Sequence, residues 1–304
     1  MEYILTVDNL SKSYGNFTVL NNLSISIPKG SIYGLVGKNG AGKTTLIRLI
    51  CGLQRPTSGN YKLYGVKNTD KEILKIRRRM GAIIEKPSIY LDMTAEDNLK
   101  EHARILGLPS LNEVKELLKL VGLESTGKKK AKNFSLGMRQ RLGIAIALVG
   151  DPDFLVLDEP INGLDPEGII EIRELILKLN RERQITVVIS SHILDELSRI
   201  ATNYGFIDKG HMVKEISAIE LEDICKKSIE IEVSDTKILS IVLDNMGIDY
   251  KVHSVTRADI FTKVTVSKLV LALAKENCEV FSINERDESL ESYYLNLIGG
   301  NRNE

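Results

Sequence analysis

The 304 residues carry 41 lysines and arginines against 41 aspartates and glutamates, so charge gives no reason to expect a nucleic-acid partner or an anionic surface. Cys51, Cys225 and Cys278 are odd in number and widely spaced, which excludes a disulfide framework or a zinc spacing and fits a reducing compartment. The longest nearly apolar run, Leu142 to Gly150, is far short of the ~20 residues of a spanning helix, and the N-terminus has no apolar signal segment; the chain is expected not to be a membrane channel itself.

In chain order, the first strong element is an apolar run, Ser31 to Val36, which reads as a buried strand. It leads into Gly37-Lys38-Asn39-Gly40-Ala41-Gly42-Lys43-Thr44, which fits the phosphate-cradling pattern G-x-x-x-x-G-K-[ST]. Thr45 to Ile50 then reads as a helix. Backbone N–H groups of a glycine-rich loop, together with a helix N-terminus, make an anion site. Lys43 is expected to reach the β- and γ-phosphates of a nucleotide, and Thr44 to ligate Mg²⁺.

Pro87 marks a boundary, and residues 87 to 150 read mainly as helix. Asn112 is placed to cap a helix with Val114, Leu117, Leu118 and Val121 on one face. Lys128, Lys129, Lys130 and Lys132 form a local basic cluster, read as a solvated surface. Ser135 is a good N-cap for the run from Leu142 to Val149, and Gly137 lets backbone approach a ligand, so the chain offers a second anion-binding helix N-terminus.

Asp151-Pro152 marks the return to an α/β core. Phe154 to Asp158 reads as a short apolar strand ending in two carboxylates. Asp158 suits Mg²⁺, and Glu159, facing differently, suits the polarisation of an attacking water. Asn162 to Pro166 reads as a turn, and Thr186 to Ser191 as a strand that delivers His192 at its end. Beyond residue 216 the pattern restarts. Strand-like alternation at Ile229–Val233 is followed by a helix over Lys237–Met246 and strands around Tyr250–Val255 and Ile260–Val266. A helix over Lys268–Lys275, a strand over Glu279–Ile283 and a final helix from Ser289 to Leu295 complete it. The order β-α-β-β-α-β predicts a small α+β domain of ferredoxin-like type.

The ordered motifs of residues 1 to 216 resemble the ATP-binding cassette of ABC transporters. The resemblance implies an α/β P-loop cassette with a helical signature subdomain over about 87–150, followed by a C-terminal accessory domain over 217–304. It implies that ATP is held by Tyr14, stacking on adenine, and by Gly37, Asn39, Gly40, Ala41, Gly42, Lys43, Thr44 and Thr45. Ser135 and Gly137 of the signature and Asp165 of the D-loop would complete the nucleotide site. Mg²⁺ would be held by Thr44, Glu85 and Asp158, and catalysis carried by Glu159, Lys43 and the switch histidine His192.

The stretch Phe134 to Arg141 looks like that of bacterial exporters for bacitracin, lantibiotics and related peptides or drugs. In this branch the usual Leu-Ser-Gly-Gly-Gln reads Phe134-Ser135-Leu136-Gly137-Met138, and the Q-loop glutamine reads Glu85. The resemblance implies that two cassettes bind head to tail and each signature closes on the other's ATP; with every element present once, a homodimer is the simplest arrangement. A separate integral membrane permease would form the channel, with this chain peripheral on its cytoplasmic face. The competing expectations are a nutrient-importer ATPase and a soluble cassette ATPase acting on DNA or ribosomes. Against the latter, the loop and the signature lie too close together to hold a long coiled coil.

Overall fold

The computed structural model describes residues 2–108, 113–225, 228–261, 264–286 and 290–299. It divides into two compact units between Ala218 and Ile219.

The first unit contains two sheets. One is antiparallel, in the order Phe17–Pro28, Tyr3–Tyr14, Ser58–Leu63, Val66–Lys67. The other has six strands in the order His211–Ser217, Asn203–Asp208, Ile32–Val36, Thr186–Ser191, Phe154–Asp158, Met80–Ile83. Within it only the pairing of His211–Ser217 with Asn203–Asp208 is antiparallel. Every residue of the three central strands is buried. Continuous apolar runs such as Phe154-Leu155-Val156-Leu157 suit strands covered on both faces. The helix Lys43–Ile50 contributes Leu46, Ile47, Leu49 and Ile50 to a core shared with Leu20, Leu23 and Ile25 of one sheet and Leu35, Phe154 and Val156 of the other.

Because Ile32–Val36, Thr186–Ser191 and Phe154–Asp158 are adjacent and parallel, their carboxyl ends lie along one edge. The phosphate loop, His192 and Glu159 each follow one of those ends, the usual location of a ligand site in an α/β sheet.

The segment between Pro87 and Gly150 is mainly helical: Ala95–Ile105, Glu113–Leu120 and Leu136–Ala147. Thr94 caps the first of these, its side chain accepting from Asp97 N at 3.1 Å. Val114, Leu117, Leu118 and Val121 are buried, as their spacing predicts; the cap expected from Asn112 lies outside the described residues. Gly81 fixes how the edge strand Met80–Ile83 meets the helix Leu136–Ala147. A Cβ there would stand 2.0 Å from the Ala147 carbonyl oxygen. Gly81→Ala should therefore destabilise the fold by about 1–3 kcal/mol through overpacking. A denaturant midpoint equal to wild type would show that the contact yields freely.

The second unit carries a four-stranded antiparallel sheet in the order Tyr250–Val252, Arg257–Ile260, Ser228–Val233, Val280–Arg286. The helices Thr236–Met246 and Val266–Lys275 share its core through Leu239, Leu243, Leu269 and Leu273 against Ile231, Val233, Ala258 and Ile260. The third strand differs from the sequence expectation. It runs over Arg257–Ile260, not Ile260–Val266. Ala258 and Ile260 supply its core contacts, whereas Val266 opens the next helix. The final helix is Leu290–Gly299; its expected start at Ser289 lies outside the described residues.

Candidate active site

The loop after Ile32–Val36 turns on Gly42, whose φ of 111° is unavailable to most side chains and whose added Cβ would meet Leu20 at 2.5 Å. That conformation starts the helix Lys43–Ile50 and leaves backbone N–H groups free for an anion. A cavity of about 210 Å³ sits over the loop, lined by Val19, Lys38 to Thr45, Glu159 and Asn162. Asn39, Gly40, Ala41 and Thr45 are thus on its wall, as the motif predicts. Gly37 lies beneath it, its carbonyl accepting from Lys43 Nζ at 2.6 Å. Lys43 is 6% exposed, and its ammonium also lies 3.4 Å from Glu159 Oε1.

The acidic strand supplies the other half. Asp158, 2% exposed, accepts from Thr44 Oγ1 at 2.9 Å on one oxygen and from Ser190 Oγ at 2.5 Å on the other. Strand register explains the second bond, because Ser190 is the cross-strand neighbour of Asp158. Ser190 also fixes the next residue: Glu159 N donates to Ser190 O at 3.1 Å and to Ser190 Oγ at 3.0 Å. Glu159 has a φ of 50°, a turn that swings its carboxylate back over the loop. Its Oε2 then lies 2.8 Å from His192 Nδ1. With the carboxylate ionised, that nitrogen donates. Ser190 is the functional residue that the sequence reading passed over. Its signal was a hydroxyl at the end of the apolar run Val187-Val188-Ile189 in a wholly buried strand, but the partner becomes visible only through strand pairing.

His192→Ala should lower turnover by about 10- to 100-fold, the loss of one hydrogen bond to a charged group. Steady-state ATP hydrolysis measures it, and an unchanged rate would make this histidine structural.

Thr44 and Asp158 offer a hydroxyl and a carboxylate within one hydrogen bond of each other. These are hard oxygen donors of the kind Mg²⁺ takes alongside substrate phosphates. Among the described residues no group of three or more His, Cys, Asp and Glu forms a protein-only metal cage. Glu85 is placed elsewhere: its contact is Arg48 Nη2 at 2.5 Å, and its side chain is 60% exposed.

Tyr14 ends the first strand, 45% exposed. Its hydroxyl is bonded to Gln54 and Lys12 Nζ lies 5.0 Å from its ring centroid. Ser135 caps the helix Leu136–Ala147, accepting from Met138 N at 3.2 Å. Asp165 caps Pro166–Arg183 in the same way, accepting from Gly168 N at 3.2 Å. Gly137 faces that second helix N-terminus, where Gly168 is its nearest backbone neighbour. Neither Ser135 nor Gly137 lines the cavity over the phosphate loop.

A phosphate loop, a buried aspartate tied to its threonine and a glutamate–histidine pair at adjacent parallel strand ends define a P-loop nucleotide hydrolase. The family model for ABC transporters matches residues 20–162. The bacitracin transport ATP-binding protein BcrA of Enterococcus faecalis is 40% identical over 302 residues, covering 99% of this chain and 98% of the relative. The lantibiotic transport ATP-binding protein SrtF of Streptococcus pyogenes is 45% identical over 212 residues, covering 70% of this chain and 90% of its own. Among solved structures, the dimeric post-hydrolysis ATP-binding cassette MJ0796, bound to ADP and Pi, has a TM-score of 0.64 at 26% identity. That match covers 70% of this chain and 98% of the cassette. The chain belongs to the ATP-binding proteins of ABC transporters and is an ABC-type ATPase.

Proposed function

We propose that this ATPase powers export of a peptide antibiotic of the bacitracin or lantibiotic kind through a separate membrane permease, giving resistance to it. The observation that carries this reading is the extent of the match to the bacitracin transport protein, which runs through the second unit as well as the cassette. Among the described residues no helix is long and apolar enough to cross a membrane, so the channel is assigned to a partner, with this chain peripheral on the cytoplasmic face. An open groove of about 620 Å³, with Leu74, Ile105 and Leu106 exposed along it and Arg77, Arg78 and Lys86 among its lining, supports a protein-docking surface. The neutral charge balance gives no reason to add a nucleic-acid partner.

In the chemistry, backbone N–H groups from Gly37 to Thr45 and the Lys43 ammonium hold the phosphates of ATP, and Tyr14 stacks on adenine. Thr44 and Asp158 hold Mg²⁺, which when bound offsets phosphate charge. Glu85 is read as a third oxygen donor that must first leave Arg48. Glu159 takes the proton of the attacking water, and His192 orients Glu159 through its 2.8 Å contact.

Ser135, Gly137 and Asp165 serve a second copy of the chain, head to tail. None of the three lines the cavity over the chain's own phosphate loop, which supports this, and the MJ0796 cassette is itself dimeric. We assign the cassette to residues 1–216, its helical signature subdomain to about 87–150, and a ferredoxin-like accessory domain to the rest. The strand order and two helices of the second unit support the last assignment.

Deletion of the gene in its host, with growth measured against bacitracin and lantibiotics, tests the reading. Tolerance should fall and return with the wild-type chain but not with Glu159→Gln. Unchanged tolerance to every such peptide would overturn the assigned cargo.

A further inference from the structure

Behind the glutamate–histidine pair, an ion pair joins two helices. Arg173 of the helix Pro166–Arg183 donates from Nη1 to Glu196 Oε2 at 2.9 Å. Their side chains are only 17% and 22% exposed. Both line a cavity of about 10 Å³, with Pro160, Ile161, Ser191 and Leu197 also on its wall. That space is at the limit of what one water needs, so the pair is poorly screened. Pro160 and Ile161 directly follow Glu159, and Ser191 directly precedes His192. The ion pair is thus packed against the chain beside both partners of the 2.8 Å contact.

Glu196 belongs to the helix Leu194–Ser198, which follows His192. Its 5 residues are too few to sustain a helix alone, and its N-cap, Ile193, makes no side-chain hydrogen bond. Buried Leu194 and Leu197 hold it to the core, but apolar contacts are non-directional and leave its rotation loosely set. The Arg173–Glu196 bond is charge-assisted and directional, so it fixes that rotation. Arg199 also approaches Glu196 Oε1, at 3.8 Å, but it is 61% exposed and lies in the same short stretch of chain. It braces the segment only against itself. Arg173 stands on an 18-residue helix anchored by buried Ile172, Leu175, Ile176 and Leu179.

We propose that Arg173 is a positioning residue for ATP hydrolysis: through Glu196 it fixes the short helix after His192 and so holds the imidazole against Glu159. The inference rests on the reading of His192 as the group that orients Glu159, and deepens it. A shift of about 1 Å in that segment is enough to break a hydrogen bond of this length, and misplacement on that scale costs up to about 10²-fold in rate.

ATP hydrolysis, equilibrium ATP binding and a thermal melt on the full chain test it. Removing Arg173 alone strands the Glu196 carboxylate, so the variant used is Arg173→Met combined with Glu196→Gln, which removes tether and charge together. Turnover at saturating ATP should fall by about 3- to 30-fold, a share of the His192→Ala loss, while ATP affinity stays within about twofold of wild type. Arg173→Lys, which keeps the charge and loses the planar fork, should retain most of the turnover. In a His192→Ala background the paired substitution should change turnover by less than about twofold, because the group it positions is gone. If the melt shows the paired variant unfolded, Glu196→Gln alone, which keeps the shape and an acceptor for Arg173, carries the same comparison at smaller amplitude. Wild-type turnover in the folded variant would overturn the proposal, as would an equal loss with and without His192, or a matching fall in ATP affinity. Unchanged turnover in His192→Ala would instead overturn the reading of the histidine beneath it.

Discussion

Glu159→Gln should slow ATP turnover by about 10²–10⁴-fold, the range for loss of a positioned general base, while ATP still binds. The amide has the same shape as the carboxylate but cannot take a proton from water. Its backbone place is secured independently of the side chain, because Glu159 N is held by both oxygens of Ser190. The substitution also removes a negative charge 3.4 Å from Lys43 Nζ, which frees that ammonium for phosphate. Binding should therefore be equal to wild type or tighter. Phosphate release at saturating ATP and Mg²⁺, beside equilibrium ATP binding, separates the two effects. Turnover within tenfold of wild type would place the base elsewhere.

Lys43→Ala should weaken ATP binding by about 10- to 100-fold, the loss of charge-assisted hydrogen bonds to phosphate. Lys43 is buried, so its ammonium is poorly screened by water, and the 2.6 Å bond to Gly37 O holds it within the loop. Its removal also leaves the Glu159 carboxylate without the adjacent cation, adding repulsion against incoming phosphate. A thermal melt run on the same sample separates lost binding from lost folding. A folded variant with wild-type ATP affinity would mean that the loop grips phosphate through its backbone alone.

The contrast between these residues and Ser190 shows what the chain discloses before it is folded. Gly42, Lys43 and Thr44 are legible because their chemistry is local: loop and helix start are contiguous, and their spacing is set by how a backbone wraps an anion. Asp158, Glu159 and His192 are legible as strand ends, since an apolar run followed by a polar residue marks where a buried strand emerges. Ser190 is different. Its role depends on lying across from Asp158 in a parallel pair, and strand register is not written in either strand alone. Arg48 and Glu85 fall in the same class, because their contact joins a helix to a turn after a distant strand. In the second unit the β-branched run around Val264 and Val266 imitates a strand. Local propensity there yields to packing, with Val266 beginning a helix and Ala258 and Ile260 taking the core positions.

The head-to-tail sandwich is the central proposal, and it accounts for a signature helix that is capped by Ser135 yet absent from the wall of its own nucleotide cavity. Light scattering of Glu159→Gln with and without ATP tests it most directly, since that variant binds nucleotide and hardly consumes it. A shift from monomer to dimer mass on adding ATP and Mg²⁺, reversed by introducing Lys43→Ala, is the predicted result. Monomer mass at saturating ATP, with nucleotide demonstrably bound, would contradict it.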